Sequence, residues 1–266
     1  MPCYKGASLL QASFMLTAQR KKLILKRLAS HGQIVAKDLA QELDTSEDTI
    51  RRDLRELALQ GKLQRVHGGA LPASVAVGDL RAREQVSSIE KQGLGRQGAK
   101  LIKSGQVVFL DGGTTAIQVA RHLAADLRCT VITHSPNVAV ELAAHQHIDI
   151  IVLGGRLFRH SMVNVGATVI EAASRFRADL FIMGVTGVHP KVGLSTGDAE
   201  EADVKRALHE RAAETVVLAS SEKLLGASPY VIAPIQAASL IVVSPNTPSK
   251  TVLALRGAGV KVQRAG

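Results

Sequence analysis

The sequence has few of the residues on which disulfide-bonded and membrane proteins depend. Only two of the 266 residues are cysteines, tryptophan is absent, and aromatic residues make up 3% of the chain. Two cysteines cannot build a disulfide framework and fit the reducing cytosol, so we expect a cytoplasmic protein. No apolar run approaches the ~20 residues that cross a bilayer, which argues against a membrane protein or a membrane partner.

The N-terminus shows no export signal. The first sixteen residues hold one lysine and no clean apolar block, whereas a signal peptide has a basic start followed by an apolar stretch. We interpret residues 1–14 as a disordered leader and Met15 as the biological start.

What the chain does contain is aliphatic and basic. Apolar residues make up 46% of it, and its length allows two domains or one large one. The formal net charge of +10 is typical of a protein with a polyanionic partner. Residues 17–70 hold eleven Lys and Arg against seven Asp and Glu, so the charge is spread along the chain and identifies no partner by itself.

Residues 15–71 are predicted to form a winged helix-turn-helix domain. Apolar spacing predicts helices over 17–30 with Thr17 as the N-cap, over 35–43, and from Thr45 or Ser46 to about Gln60. Glycines follow the first and third helices and can end them. The segment "KLQRVHGGAL" then indicates two short strands around a Gly-Gly turn.

The third predicted helix has one apolar face and one basic face. Ile50, Leu54 and Leu57 recur at i, i+4 and i+7 and face a core, while Arg52 points away from it. Recognition helices read base edges with their first residues, arginine binds guanine with two hydrogen bonds, and basic groups on a wing contact phosphates. The alternative is that these arginines only face water. The predicted DNA contacts are Ser46, Thr49, Arg51, Arg52, Arg55, Lys62, Arg65 and His67.

Two motifs in this region resemble a known family. "TIRRDL" and "RVHGGA" stand at the spacing found in DeoR-type bacterial transcriptional regulators, and the resemblance covers about residues 15–71. It implies that the domain binds a double-stranded DNA operator. Such proteins usually begin just before the first helix, which agrees with Met15 as the start.

After a predicted linker at 72–83, residues 84–266 are predicted to form an α/β domain. Its candidate strands are continuously apolar, which indicates burial on both faces and a mainly parallel sheet with flanking helices. The strands are predicted at 106–110, 129–133, 148–155, 179–185, 215–220, 239–244 and 260–263, and helices at 115–125, 137–145 and 199–212.

The ends of these strands hold the candidate ligand residues. "VVFLDGGTTAIQVARHL" places Asp111 to Thr115 between a strand and a helix, where glycine backbone, threonine hydroxyls and a helix N-terminus can hold an anion. The segment is neither a P-loop nor a GxGxxG fingerprint, and a glycine-rich turn of this kind is as often purely structural. Ligands of open α/β sheets collect at the carboxyl ends of the strands. Other strand ends and the helices after them supply Ser135, Asn137, Gly155, Asp198, Glu201, Lys205 and Lys223.

The order of five motifs resembles the DeoR-type effector domain over roughly residues 84–266. The motifs are "DGGTT", "THSPNVA", "LGGRL", "STGDAEEADVKRAL" and "SEKL". That domain is similar to ribose-5-phosphate isomerase and binds phosphorylated sugar metabolites, so the resemblance implies a phosphorylated sugar or polyol as the effector. The effector site predicted from the resemblance and the strand ends together is Asp111, Gly112, Gly113, Thr114, Thr115, Ser135, Asn137, Gly155, Lys205 and Lys223.

The chain departs from the family pattern at two places. Ser220-Ser221-Glu222-Lys223 stands where the family often has Asp-x-Ser-Lys, which puts the role of position 220 in question. Ser244-Pro245 stands where the family often has Thr-Asp.

These features together predict a transcriptional regulator, most simply a repressor of carbohydrate-metabolism genes. Symmetric operator half-sites make a homodimer or homotetramer the expected assembly. One alternative is a sugar-phosphate isomerase-like enzyme with an appended DNA-binding domain. Another is an architectural DNA-binding protein with an inert α/β domain.

Catalysis, a metal and a cofactor are not expected. The isomerases have a Glu general base close after a glycine-rich loop, whereas no Asp or Glu occurs here between Asp149 and Glu171. Asp111, Asp198 and Glu201 remain as possible substitutes. The nine histidines show no zinc-ligand spacing.

Overall fold

The computed structural model describes residues 15–74 and 80–266, so the predicted leader at 1–14 lies outside the described residues. The chain divides into two compact units between Leu71 and Pro72. Each unit has its own hydrophobic core.

The first unit has the predicted winged helix-turn-helix architecture. Its elements are α1 (Thr17–His31), β1 (Ile34–Val35), α2 (Ala36–Glu42), α3 (Glu47–Leu59), β2 (Leu63–Val66) and β3 (Gly69–Pro72). The strands form one sheet in the order β1-β3-β2. The two-residue strand β1 was not predicted, because two residues are too few to show an alternating pattern.

Helix ends in this unit follow local signals, with one exception. Ser46 caps α3, since its Oγ accepts a hydrogen bond from the backbone N–H of Thr49 at 3.1 Å. Gly32 ends α1 with a φ of +74°, a conformation that glycine adopts without strain. The predicted cap at Thr17 is wrong: Thr17 is the first helical residue, and Leu16 in the cap position accepts no hydrogen bond through its side chain.

An ion pair inside the core joins α1 to α3. Arg20 donates through Nε to the carboxylate of Asp53, and the two side chains are 9% and 0% exposed. The pair lies beside the apolar face that α3 turns to the core. Lys21 and Glu56 form a second, more exposed pair between the same helices. The position of α3 therefore depends on charge as well as on aliphatic packing.

The second unit is built on a parallel sheet of seven strands, which confirms the predicted fold class. Its strands are β4 (Val107–Leu110), β5 (Cys129–Thr133), β6 (Ile148–Val152), β7 (Arg156–Phe158), β8 (Val163–Val165), β9 (Ala178–Met183), β10 (Gly187–His189), β11 (Gly193–Thr196), β12 (Ala212–Ala219), β13 (Tyr230–Ala233), β14 (Leu240–Val243) and β15 (Val262–Arg264). The order in the large sheet is β15-β14-β12-β9-β4-β5-β6, with parallel neighbours. These are the seven strands that the sequence predicts.

Helices cover the sheet, and short antiparallel strands form two small sheets of their own. The helices are α4 (Leu80–Gln85), α5 (Ser88–Leu101), α6 (Thr114–Arg121), α7 (Pro136–Leu142), α8 (Ala167–Ala173), α9 (Ala199–His209) and α10 (Ser249–Gly257). β7 pairs with β8, and β10, β11 and β13 form a second sheet. No helix in the described part of the chain is long and apolar enough to span a membrane.

Much of the predicted linker at 72–83 is part of the second unit. Ser74 is buried and donates a hydrogen bond to the backbone carbonyl of Thr186. The backbone N–H of Ala227 donates to the carbonyl of Pro72 at 3.4 Å. Helix α4 begins at Leu80, and residues 75–79 lie outside the described residues.

The buried ion pair leads to a stability prediction. Asp53→Ala leaves the guanidinium of Arg20 buried without its carboxylate, which we expect to lower the stability of the first unit by about 3–5 kcal/mol. Hydrogen exchange of peptides from α1 and α3, measured on the full chain, reports this directly.

The matched control is Glu56→Ala, which removes the exposed pair and is expected to change exchange far less. Exchange in the second unit is expected to stay the same in both variants. Equal exchange of the α3 peptides in Asp53→Ala and the parent chain would show that the pair does not hold the helix.

Candidate functional site

A groove lies between the outer face of α3 and the β2–β3 hairpin. Six of the eight predicted DNA contacts line it, and the other two, Ser46 and Lys62, do not. Ser46 is occupied as the cap of α3, and Lys62 is exposed in the turn before β2. The six are Thr49, Arg51, Arg52, Arg55, Arg65 and His67.

The arginines of α3 differ in how they are bound. Arg51 donates to Glu47 one turn earlier at 2.8 Å, in a pair that is half exposed. Arg52 and Arg55 are exposed and make no hydrogen bond or ion pair with any other residue that the structure describes. A duplex placed against this face would meet two uncommitted guanidinium groups, which suit guanine edges and phosphates.

In the second unit, the centre of the candidate ligand site is the carboxylate of Asp111, just after β4. It is fully buried and accepts four hydrogen bonds. Lys205 of α9 donates at 2.6 Å, His134 after β5 at 2.7 Å, the backbone N–H of Gly184 after β9 at 2.7 Å, and that of Gly112 at 2.8 Å. Burial alone would raise the pKa of Asp111, but Lys205 and His134 outweigh it and hold that pKa well below its usual range.

His134 is held from both sides. Its Nε2 lies 2.7 Å from Asp111, and its Nδ1 lies 2.7 Å from the backbone carbonyl of Asn164. The ring of His134 therefore links the carboxylate of Asp111 to the backbone of β8.

The glycine-rich turn forms an open cradle at the N-terminus of α6. Gly113 occupies the cap position with a φ of +100° and supplies no side-chain cap. A side chain there would be strained even though no atom of the described residues lies within 4 Å of the added Cβ. The first N–H groups of α6, with the hydroxyls of Thr114 and Thr115, line a cavity and suit an anion.

Four cations and two carboxylates line this cavity. They are Arg83, Lys91, Lys205, Lys223, Glu201 and Glu222. Lys205 is paired with Asp111, and Lys91 donates to the carbonyl of Arg83 at 2.6 Å and lies 3.6 Å from Glu222. Lys91 and Lys205 therefore already have hydrogen-bond and ion-pair partners within the protein.

Lys223 is the cation with the weakest pairing in the cavity. Among the described residues its ammonium makes one long hydrogen bond, 3.5 Å to the hydroxyl of Thr115. Burial lowers its pKa to about 8, with Lys91 adding to the shift and Glu222 opposing it. An anion at the cradle would supply the counter-charge that Lys223 lacks.

The structure brings together six of the ten residues predicted for the effector site. Gly112, Gly113, Thr114, Thr115, Lys205 and Lys223 line the cavity. Asp111 lies behind it and positions Lys205.

The remaining three predicted residues, Ser135, Asn137 and Gly155, are not among its lining residues. Ser135 caps α7 and donates to the carbonyl of Met162 at 3.2 Å. Gly155 packs against β8 and α8, where a Cβ would come within 2.5 Å of Val169. These two residues have structural roles, and their contact with a ligand stays a prediction.

Sequence reasoning missed several lining residues. Arg83 and Lys91 precede the first strand of the sheet, so no strand-end pattern marks them. Asp198, considered as a possible base, caps α9 by accepting from the N–H of Glu201 at 3.0 Å. Glu201 itself lines the cavity.

The arrangement suits binding a small anion better than proton abstraction at Asp111. A general base has to accept a proton from its substrate. Asp111 is already bonded to four donors and is held strongly ionised. Within the described residues no group of His, Cys, Asp and Glu has the geometry of a metal site.

Comparisons with known proteins find a matching family model for each of the two parts of the chain. A family model for a DeoR-like helix-turn-helix domain matches residues 20–75, and one for a DeoR C terminal sensor domain matches residues 87–244. The chain is 34% identical to the HTH-type transcriptional repressor GlcR of Bacillus subtilis, over 86% of this chain and 88% of that protein. It is 31% identical to the glycerol-3-phosphate regulon repressor of Escherichia coli K12, over 79% of this chain and 83% of that protein.

One similar solved structure is that of ribose 5-phosphate isomerase A from Methanocaldococcus jannaschii. Its TM-score is 0.38 at 20% identity, over 51% of this chain and 54% of that chain.

The lowered pKa of Lys223 predicts how anion binding depends on pH. Sulfate is a dianion throughout the neutral and alkaline range, so any change in its affinity comes from the protein. Since only protonated Lys223 attracts it, affinity is expected to be nearly full below about pH 7 and to fall about tenfold between pH 7 and 9, as the ammonium with a pKa of about 8 loses its proton.

The measurement is sulfate titration by calorimetry at several pH values, with Lys223→Met as the control. The variant is expected to bind sulfate more weakly and with little pH dependence. The same fall with pH in the variant would assign the titration to another group.

Proposed function

The chain belongs to the DeoR family of transcriptional regulators, and from that membership we propose that it is a repressor of carbohydrate-metabolism genes released or recruited by a phosphorylated sugar or polyol. It is a DNA-binding transcriptional regulator. The single observation that carries the effector half of the proposal is the anion cradle at the N-terminus of α6 beside the under-paired Lys223.

The DNA-binding half rests on the groove of the first unit. Arg52 and Arg55 are exposed on the face of α3 opposite the core, and Arg65 and His67 of the hairpin line the same groove. We propose that α3 lies in the major groove of an operator and that the hairpin follows the backbone. Because operators of this kind carry paired half-sites, we also propose a homodimer or homotetramer, which light scattering tests.

The effector half rests on charge and shape. A phosphate in the cradle would accept hydrogen bonds from the first turn of α6 and from Thr115, and would neutralise Lys223. The sugar or polyol would extend from there along the cavity. A thermal-shift screen of sugar phosphates identifies the effector, since a ligand at a hundredfold excess over its Kd stabilises the fold by roughly 2.7 kcal/mol. No stabilisation by any phosphorylated compound would remove this half of the proposal.

We propose that the cavity senses its ligand and does not turn it over. The relatives are regulators by name, and Asp111 is saturated by donors. The competing isomerase function predicts interconversion of ribose 5-phosphate and ribulose 5-phosphate. An absorbance assay on the purified chain separates the two functions.

A contact within the second unit offers a route from the cavity toward the first. Thr186 lines the cavity. Its carbonyl accepts from Ser74, two residues after β3 ends, and its hydroxyl lies 2.7 Å from that of Ser228. A shift of Thr186 on ligand binding would therefore be transmitted to Ser74, where the chain leaves the β2–β3 hairpin.

Arg52 is predicted to read a base. Arg52→Ala should weaken binding to the specific operator by about 1–3 kcal/mol and random DNA much less. The measurement is a gel shift or anisotropy titration on both DNAs at several salt concentrations.

The matched control is Arg65→Ala on the hairpin, which should weaken both DNAs alike and lower the salt slope by about one unit. Lys62, predicted as a second phosphate contact but outside the groove lining, should give a smaller loss. Equal losses on both DNAs for Arg52→Ala would make Arg52 a phosphate contact, and no loss would return it to a solvent-facing role.

Ser74 is predicted to couple the effector to DNA binding. Ser74→Ala removes the donor to the carbonyl of Thr186 while leaving the cavity and the DNA groove intact. We expect less than about a twofold change in either affinity alone, and a clear reduction of the effect of the ligand on DNA affinity, which in such systems amounts to about 1–3 kcal/mol.

The ligand is the sugar phosphate found in the thermal-shift screen. Ser174→Ala is the control, since Ser174 is exposed and its hydroxyl also donates to a backbone carbonyl, that of Glu171. Full coupling in Ser74→Ala would show that the signal takes another path.

A further inference from the structure

Glu201 is a buried carboxylate whose bonding is incomplete. It lies in the first turn of α9, is 6% exposed, and lines the cavity. Its Oε2 accepts from the hydroxyl of Thr196 at 3.3 Å, and this is its one side-chain hydrogen bond among the described residues. No ion pair joins it to a described cation. Such a carboxylate can accept further hydrogen bonds, and a ligand in the cavity can donate them.

Glu201 also stands where two cavities meet. The second cavity is lined by Phe158, His160 and Gly197, and it shares with the first a wall formed by Arg83, Ser161, Thr186 and Glu201. The cradle residues Gly113 to Thr115 and Lys223 line the first cavity and are not among the lining residues of the second. A ligand anchored by an anion at the cradle and extending onward therefore passes Glu201.

The two ends of this path differ in charge. At the cradle an anion is missing, because Lys223 is a cation with one long hydrogen bond among the described residues. At the shared wall, Glu201 is an anion with one long hydrogen bond among the described residues, from the hydroxyl of Thr196. Arg83 lies on the same wall and donates to the hydroxyl of Ser161 at 3.3 Å. A second phosphate drawn to Arg83 would share this wall with the carboxylate of Glu201.

We propose that Glu201 selects the end of the effector remote from its phosphate: it accepts hydrogen bonds from hydroxyl or ammonium groups there and rejects a second phosphate. This inference rests on the proposed function, since it assumes a phosphate at the cradle. It defines the effector as a monophosphate with a donor-bearing far end, and it excludes bisphosphates.

The test compares mono- and bisphosphates that share a carbon skeleton. The probes are fructose 1-phosphate, fructose 6-phosphate and fructose 1,6-bisphosphate, glucose 6-phosphate and glucose 1,6-bisphosphate, and ribulose 5-phosphate and ribulose 1,5-bisphosphate. Calorimetry on the full chain should show that the best monophosphate binds at least tenfold more tightly than its bisphosphate. Inorganic phosphate, titrated alone, reports on the cradle.

Glu201→Gln keeps the size of the side chain and removes its charge. The preference for the monophosphate should fall at least fivefold, a larger change than that in the affinity for inorganic phosphate. Glu201→Asp keeps the charge and shortens the side chain, so it should still reject the bisphosphate. Glucosamine 6-phosphate against glucose 6-phosphate distinguishes an ammonium from a hydroxyl donor at this wall.

Each outcome decides a different point. A bisphosphate that binds the parent chain as tightly as its monophosphate overturns the role of Glu201, as does an unchanged preference in Glu201→Gln. If inorganic phosphate binds in either case, the proposed function survives. If neither inorganic phosphate nor any sugar phosphate binds, the proposed function fails and this inference fails with it.

Discussion

The second unit depends on one buried carboxylate. Asp111 follows β4, an inner strand of the large sheet, and accepts hydrogen bonds from groups after β5 and β9 and from α9. A buried charge of this kind is costly unless donors surround it, so the carboxyl ends of three neighbouring strands and one helix are held in a single arrangement. The glycine cradle begins at the next residue. Its position follows from the same constraint, because the N–H of Gly112 is one of the four donors.

The cations of both units fall into two groups. Arg20 and Lys205 are bound to the buried carboxylates Asp53 and Asp111, and they hold helices in place. Arg52 and Lys223 have no carboxylate bound to them within the described residues. A cation that is already paired with a carboxylate of the protein adds little to the affinity for an anionic ligand, whereas an unpaired cation gains a partner when the ligand binds. The net positive charge therefore indicates a binding site only when it is known which cations are paired with carboxylates of the protein.

How well each element of the fold could be predicted depends on the length of its pattern in the sequence. Strands such as "QVVFL" are continuously apolar and long enough to identify, and all seven strands of the large sheet were predicted. β10 has three residues and β11 has four, and each begins at a glycine. Neither is long enough to show an alternation of apolar and polar residues. The cradle was predictable because its residues are contiguous, whereas Arg83 and Lys91 reach the cavity only through the tertiary fold. A serine after a strand, such as Ser135, has the same sequence signature whether it binds a ligand or caps a helix.

The departure from the family pattern at 220–223 has a physical explanation in this chain. Where the family often has a carboxylate first and a hydroxyl two residues later, this chain has Ser220 first and Glu222 later, and the hydroxyl of Ser220 donates to Glu222 at 2.7 Å. The same two groups are thus present in reversed order and are bonded to each other. The carboxylate of Glu222 lies 3.6 Å from Lys91 on the cavity wall. Ser221 binds Glu90 through its N–H and hydroxyl, and Ser244, the second departure, donates to the same carboxylate at 2.7 Å. The two departures meet at Glu90, so the loops after β12 and β14 are tied together by one side chain of α5. Glu222 pairs with Lys91 and Asp111 pairs with Lys205, whereas Lys223 has no carboxylate bound to it among the described residues and can pair with a ligand.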